Sequence, residues 1–324
     1  MKLHFHFVYL SNIFFIHLRT YIHHDSIKKD EGFIKLCQQL QRVAPSRADT
    51  NDLITCLKAL VNCNVEPGSS VLNTVLHLLK SKVNELPIQA FFFVDAILKR
   101  VKSPLADAIT IALPVVFETQ LETQLNLDDV RSMCQCLRYA IDRRMPVSKI
   151  KFIADSLLAN SRKWEINEIC SVISSLSNLR FLSEHGILPL LENALNRLAK
   201  VVNHIEPNLL NIMCCKISGN YTNLSRYWYN EEFCNAVAQR VLQEQWDFTL
   251  TIGIGQAFTK LFYVNLEFLE YYSSFTESII SKNLRMHPRH ILTAFAEANY
   301  KPPTLGKVVD FVIAYRQPIV TTDE

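Results

Sequence analysis

Leu57-Lys-Ala-Leu-Val-Asn-Cys-Asn-Val-Glu-Pro67 returns, in the same register, as Leu292-Thr-Ala-Phe-Ala-Glu-Ala-Asn-Tyr-Lys-Pro302. Leucine, alanine, asparagine and proline coincide across both stretches, each an apolar helix running into a proline-marked turn. Comparable turn positions at Pro104, Pro146, Ser183, Ser225 and Phe268 set a period of about 34 to 43 residues. Self-similarity at that period is the mark of stacked helical hairpins, in which each unit buries its apolar face only against its neighbours. The reading is an all-α, right-handed α-solenoid of about seven hairpin repeats, of octotricopeptide or HEAT type. Such an array presents a long surface instead of enclosing a site.

Composition fits this reading. A chain of 324 residues ordinarily divides into compact domains, whereas a repeat array lengthens its core one repeat at a time. Hydrophobic residues make up 49% of the chain and only seven are glycine, so a continuous core is available and no flexible linker interrupts residues 50–317. Apolar residues at Ile187, Leu190, Leu191, Ala194, Leu195, Leu198 and Val202 follow helical spacing, as do Ile150, Ile153, Ala154, Leu157 and Leu158. Prolines stand where helices should start, because the first turn needs no N–H donor. Those at 87, 207 and 288 open first helices, and those at 67, 104, 146 and 303 open second ones. Pro114, inside a helical segment, should kink it. The pairs fall near 50–82, 86–121, 127–161, 165–202, 207–244, 247–283 and 287–316, preceded by a capping helix within 31–49.

Nine cysteines scattered through apolar stretches exclude a small disulfide scaffold and point to a reducing compartment. Cys134-Gln-Cys136 and Cys214-Cys215 lack the second spaced pair that tetrahedral zinc needs, so packing is the reading. His287 and His290 lack a third ligand and read as solvated surface. No metal, cofactor or small-molecule substrate is expected. No nucleophile–base–acid set, nucleophile elbow or kinase motif occurs, and Gly253-Ile-Gly255 reads as close helix packing, not a phosphate loop. Carboxylates at Asp128–Asp129 and Glu231–Glu232 open helices, where negative charge suits the dipole. Catalysis is not expected.

Residues 1–30 differ from the rest. Met1–His24 carries Lys2 and Arg19 without an acid, the look of a mitochondrial presequence. A disordered or mis-assigned leader and a secretory signal are the other readings. The sequons at Asn220 and Asn223 bear only on the secretory one. The apolar run 8–18 is too short for a stable membrane span.

The net charge is +3, of which residues 1–30 hold +2 (four cations, two anions), leaving +1 for the repeats. An anionic partner must therefore be held locally. Turns within pairs carry Lys99, Arg100, Lys102, Arg143, Arg144, Arg180, Arg226 and Lys301 against Glu66, Asp142, Glu184 and Glu267. Turns between pairs carry Glu118, Glu122, Asp128, Asp129, Glu206, Glu244 and Asp247. Stacking would place all turns of one kind along one edge, giving one basic rim and one mixed to acidic. The densest segment holds Arg138, Arg143, Arg144, Lys149, Lys151, Arg162 and Lys163, with Asp142 and Asp155 as its only acids. With Lys99, Arg100, Lys102 and Arg226 these are the candidate phosphate contacts, and Trp228, among Tyr221, Tyr227 and Tyr229, is the candidate base-stacking residue.

The turn Ala298-Asn-Tyr-Lys-Pro-Pro303, following an apolar helix, resembles the repeats of the FAST kinase-like family, and Leu57–Pro67 resembles them more faintly. The resemblance implies paired-helix repeats, residence in the mitochondrial matrix, and action on mitochondrial transcripts in processing, stability or translation. The implied partners are single-stranded mitochondrial RNA and RNA-processing or ribosomal proteins. It also implies a RAP domain after the FAST-like repeat 287–316. Residues 319–324 then read as a tail cut short before it, with the solenoid's binding role left. The alternative is an armadillo- or HEAT-like scaffold that binds protein and no nucleic acid.

Overall fold

The computed structural model describes residues 31–179, 182, 185–275, 295–296, 299–303, 305–307 and 309–310. The expected leader, the tail, Arg180, Glu184, His287 and His290 lie outside the described residues, as does most of the repeat at 287–316. Among the described residues the protein is all-α, with no strand. Thirteen α-helices are described, numbered α1 to α13 along the chain.

The chain divides into two compact units, Met1–Ile153 and Ala154–Glu324. The first unit holds α1 (Glu31–Arg47), α2 (Thr50–Asn62), α3 (Ser70–Ser81), α4 (Phe91–Leu98), α5 (Pro104–Gln124) and α6 (Val130–Asp142). Helix α2 pairs with α3, and α4 with α5. First helices pack on first helices, α2 on α4 on α6, and second on second, α1 on α3 on α5. The core where α4, α5 and α6 meet is aromatic. Phe91, Phe117 and Tyr139 are fully buried with ring centroids 4.8–6.1 Å apart. Helix α7 (Val147–Ala159) spans the boundary between the units.

In the second unit, α8 (Ile166–Leu176), α10 (Pro207–Asn220) and α12 (Phe248–Leu261) stack as first helices. Helices α9 (Leu188–Val201), α11 (Glu231–Glu244) and α13 (Leu266–Ser273) stack as second ones. The buried Arg240 on α11 donates to the Ile205 carbonyl at 2.6 Å and to Glu244 Oε1 at 2.9 Å. It thereby ties α11 to the turn that follows α9.

Helix starts obey capping chemistry. Asp49 and Asp52 form a reciprocal box at α2, Asp129 caps α6 through the Ser132 N–H and hydroxyl, and Asp247 caps α12. The Ser132 hydrogen bonds hold the Asp129 carboxyl below its usual pKa. Glu231 and Glu232 occupy the first turn of α11, as their charge predicts. Helix α5 continues unbroken through Pro114. The two glycines of α12 are contact points. A Cβ on Gly253 would lie 2.4 Å from Asn211 Oδ1 on α10, and one on Gly255 would lie 2.6 Å from the Tyr272 ring on α13. Cys134, Cys136, Cys214 and Cys234 are buried, and burial pushes the Cys136 and Cys234 thiols up to about 12. They are packing groups.

Candidate nucleic-acid interface

The repeated sequence has a geometric counterpart. Asn64 and Asn299, which coincide in the two opening stretches, are both left-handed, with φ of 51° and 49°. Arg144 and Phe262 take the same conformation at the ends of α6 and α12, with φ of 52° and 56°. Each of the four donates its N–H three residues back, to Val61, Ile141, Thr259 or Ala296. In each case the next residue donates five back, as Val65→Leu60, Met145→Ala140, Tyr263→Phe258 and Tyr300→Phe295 at 2.8–3.0 Å. This is the Schellman turn, in which one left-handed residue reverses the chain and an apolar residue after it folds back on the helix. It ends α2, α6 and α12, whereas α4, α8 and α10 end without a left-handed residue, and a left-handed Gln245 ends α11.

In the first unit the ends of α2, α4 and α6 gather on one edge. Arg100 Nη1 donates to Asn62 Oδ1 at 3.1 Å, linking α4 to α2. The Asp95 carboxylate, 5% exposed, pairs with Lys99 Nζ at 2.9 Å and with the Arg143 guanidinium, linking α4 to α6. Turns of one kind thus share an edge here, and that edge carries Lys99, Arg100, Lys102, Arg143 and Arg144.

The structure divides these cations by what they already hold. Arg143 is committed to the fold: its side chain is 20% exposed, it faces Asp95, and burial lowers its pKa. Lys99 shares that carboxylate. Arg138 lies 3.8 Å from Asp142 with its guanidinium 4.8 Å from the Phe92 ring. Lys102 and Arg144 are exposed and make no side-chain hydrogen bond or ion pair with any described residue. In an open cleft of about 420 Å³, Lys99 and Lys102 line the start of α5 together with Asp107. Lys151 is exposed on α7. In the second unit Arg162 and Lys163 are exposed on the 3-10 turn Ser161–Lys163, and Arg226 is exposed on the turn Arg226–Trp228.

Two expectations are corrected. Lys149 Nζ lies 2.8 Å from Glu122 Oε1, an ion pair between a residue of the expected basic rim and one of the expected acidic rim. The end of α5 meets the first turn of α7, so the two rims are not separated at that point. Trp228 is 1% exposed, on a turn packed against both α9 and α10. It offers no face to a base. Sequence reasoning also passed over Phe262, which is 57% exposed and whose ring lies 6.2 Å from the Tyr221 ring. The one available signal was the apolar Tyr263 after it, placed as Val65 is after Asn64.

Helix α5 has a second face. Its inner side buries Ala106, Ile109, Leu113, Phe117 and Leu121, while Ile111 and Val115 are 75% and 64% exposed. Among the described residues it alone is long and apolar enough, by length and composition, to cross a membrane. No group of three or more potential metal ligands occurs among the described residues. No protein-family model matches the chain, and no curated protein gives a significant match to it.

Proposed function

We propose that the chain is a mitochondrial RNA-binding protein whose helical hairpins form a right-handed solenoid of about seven repeats. It holds single-stranded transcripts for processing, protection or translation. The observation that carries this reading is the shared edge of the first unit. Three successive helix ends bring five cations together there, and the acid that balances them most closely, Asp95, is buried beneath two of them. Lys102 and Arg144 stand free on that edge to meet phosphates. The resemblance of Ala298–Pro303 to FAST kinase-like repeats supplies the mitochondrial setting and the class of RNA.

Binding of a fluorescein-labelled single-stranded RNA, followed by anisotropy across a salt series, tests the reading. The double variant K102E/R144E should bind more weakly and reduce the logarithmic salt slope by about 1.4, from roughly 0.7 per phosphate contact. Arg131→Glu, at the opposite end of α6, is the matched control and should leave the slope unchanged. Equal slopes for wild type and double variant would remove phosphate contact from this edge. For location, a tagged full-length chain should fractionate with mitochondria, and deletion of Met1–His24 should leave it in the cytosol.

A second reading has its own observation. The outer face of α5 exposes Ile111 and Val115 one helical turn apart, an apolar stripe suited to a protein partner. An armadillo- or HEAT-like scaffold would use it, and its binding would be insensitive to salt.

A further inference from the structure

Phe262 is the most exposed aromatic residue described, and the chain holds it in a conformation that phenylalanine disfavours. A left-handed φ of 56° suits asparagine or glycine, as at the equivalent Asn64. Two contacts enforce the turn. Tyr263, 7% exposed, packs its ring 4.6 Å from Phe258 and donates its hydroxyl to Asn235 Oδ1 at 2.6 Å. The left-handed residue is therefore turned outward whatever its identity, and here it is a phenyl ring. That ring does not stand alone. Tyr221, at the end of the neighbouring first helix α10, lies 6.2 Å from it, and Tyr229 lies 6.3 Å from Tyr221. Tilts of 58° at both steps leave the rings as a stepped surface instead of a closed stack. Arg226, between the two tyrosines in sequence, and Lys260, two residues before Phe262, are exposed and have no side-chain partner among the described residues.

Resting on the RNA-binding reading, we propose that Phe262, with Tyr221 and Tyr229, is a stacking site for unpaired bases of a single-stranded nucleic acid, with Arg226 and Lys260 meeting the adjoining phosphates. Every base has a π-face, so such a site takes bases without reading them, and its share of the affinity does not depend on counterion release. Uncharged rings supply what the cationic edge of the first unit does not. The strained turn is compatible with this role, since backbone outliers persist where function requires a side chain in that place. Leu224, Val264 and Leu266 are also exposed in these two turns, and they are what a protein partner would use instead.

The probes are a single-stranded oligoribonucleotide and an abasic strand with the same phosphates, bound to the full chain. Wild type should prefer the base-bearing strand by about 5- to 150-fold, the range for stacking on one aromatic side chain. Phe262→Asn keeps the left-handed turn and removes the ring. It should abolish that preference, leave the salt slope unchanged and raise the melting temperature, so a folding defect cannot mimic the result. Phe262→Leu, apolar but without a π-face, should lose the preference as well. Strong, salt-dependent RNA binding by wild type with no base preference would overturn this inference alone. The same holds for F262N losing affinity equally for both strands. No RNA binding by wild type would remove this inference and the proposed function together. Capture of a proline-rich peptide by wild type, lost in F262N and not competed by RNA, would overturn the assignment in favour of a protein partner.

Discussion

Arg144 and Phe262 end equivalent helices through the same turn, with φ of 52° and 56° and the same pair of backbone hydrogen bonds. One unit uses the turn to hold out a guanidinium, the other a phenyl ring. At Asn64 and Asn299 the position carries a residue that accepts the left-handed region. The difference teaches that the turn is made by its neighbours, not by the residue at its apex. Met145 and Tyr263, each 7% exposed, anchor the chain after the apex, while Arg143 is held by Asp95 just before it in the first unit. The apex residue is released from packing and is open to function at a cost of about 1 kcal/mol of backbone strain.

Removing the anchors should break both turns most severely. Tyr263→Ala should cost about 3–5 kcal/mol and Met145→Ala about 2–3 kcal/mol in urea unfolding, since each leaves a cavity over its helix. A loss under about 1 kcal/mol at either site would mean that the apex, not the anchor, makes the turn.

Adjacent arginines should separate next. Arg143→Glu sets a carboxylate against buried Asp95 and should destabilise by about 2–3 kcal/mol, discounted from a fully buried pair because the arginine is one-fifth exposed. Arg144→Glu should change stability by less than about 0.5 kcal/mol, as an exposed residue without a partner. Equal effects at the two positions would place Arg144 in the fold's own charge network.

The apex itself should respond in opposite senses. Arg144→Asn and Phe262→Asn should each stabilise by about 0.5–1 kcal/mol, and Asn64→Ala should destabilise by about 1 kcal/mol, all through left-handed strain. Melting temperatures would register these as shifts of a few degrees at most.

The smallest effect distinguishes the two turns by pH. Burial pushes the Tyr263 hydroxyl up to about 12, whereas Met145 cannot ionise. The folded form keeps the proton that the unfolded chain releases near pH 10. This contribution is therefore complete below about pH 10 and is lost as pH rises towards 12. Tyr263→Phe should flatten the alkaline fall in stability, and Met145→Leu should leave it unchanged.

Much of this was legible in the sequence. The two aligned stretches carried the asparagine that takes the left-handed turn, and Pro104, Pro207 and the capping acids marked where helices begin. Pro67 and Pro87, by contrast, fall short of helices that open at Ser70 and Phe91. Gly253 and Gly255 were legible as packing points because no phosphate-loop pattern surrounded them. What escaped notice depended on partners distant in sequence. Nothing near Arg143 announces Asp95, which is 48 residues away, and nothing near Lys149 announces Glu122. The run Tyr227-Trp228-Tyr229 reads as an aromatic surface until the turn packs against α9 and α10 with Trp228 buried. Phe262 was hidden for the opposite reason. Within Thr259-Lys-Leu-Phe-Tyr263 it passes for another core residue, because its exposure follows from a helix end that no glycine or asparagine signals.

The most direct test of the account is the salt dependence of RNA affinity for two matched apex variants, Arg144→Asn and Phe262→Asn. Both relieve strain in the same turn, so folding affects them alike. Arg144→Asn should lower the logarithmic salt slope by about 0.7. Phe262→Asn should weaken binding by a constant factor at every salt concentration, with the slope unchanged. Identical salt profiles for wild type and both variants would contradict the account, for neither turn would then touch RNA.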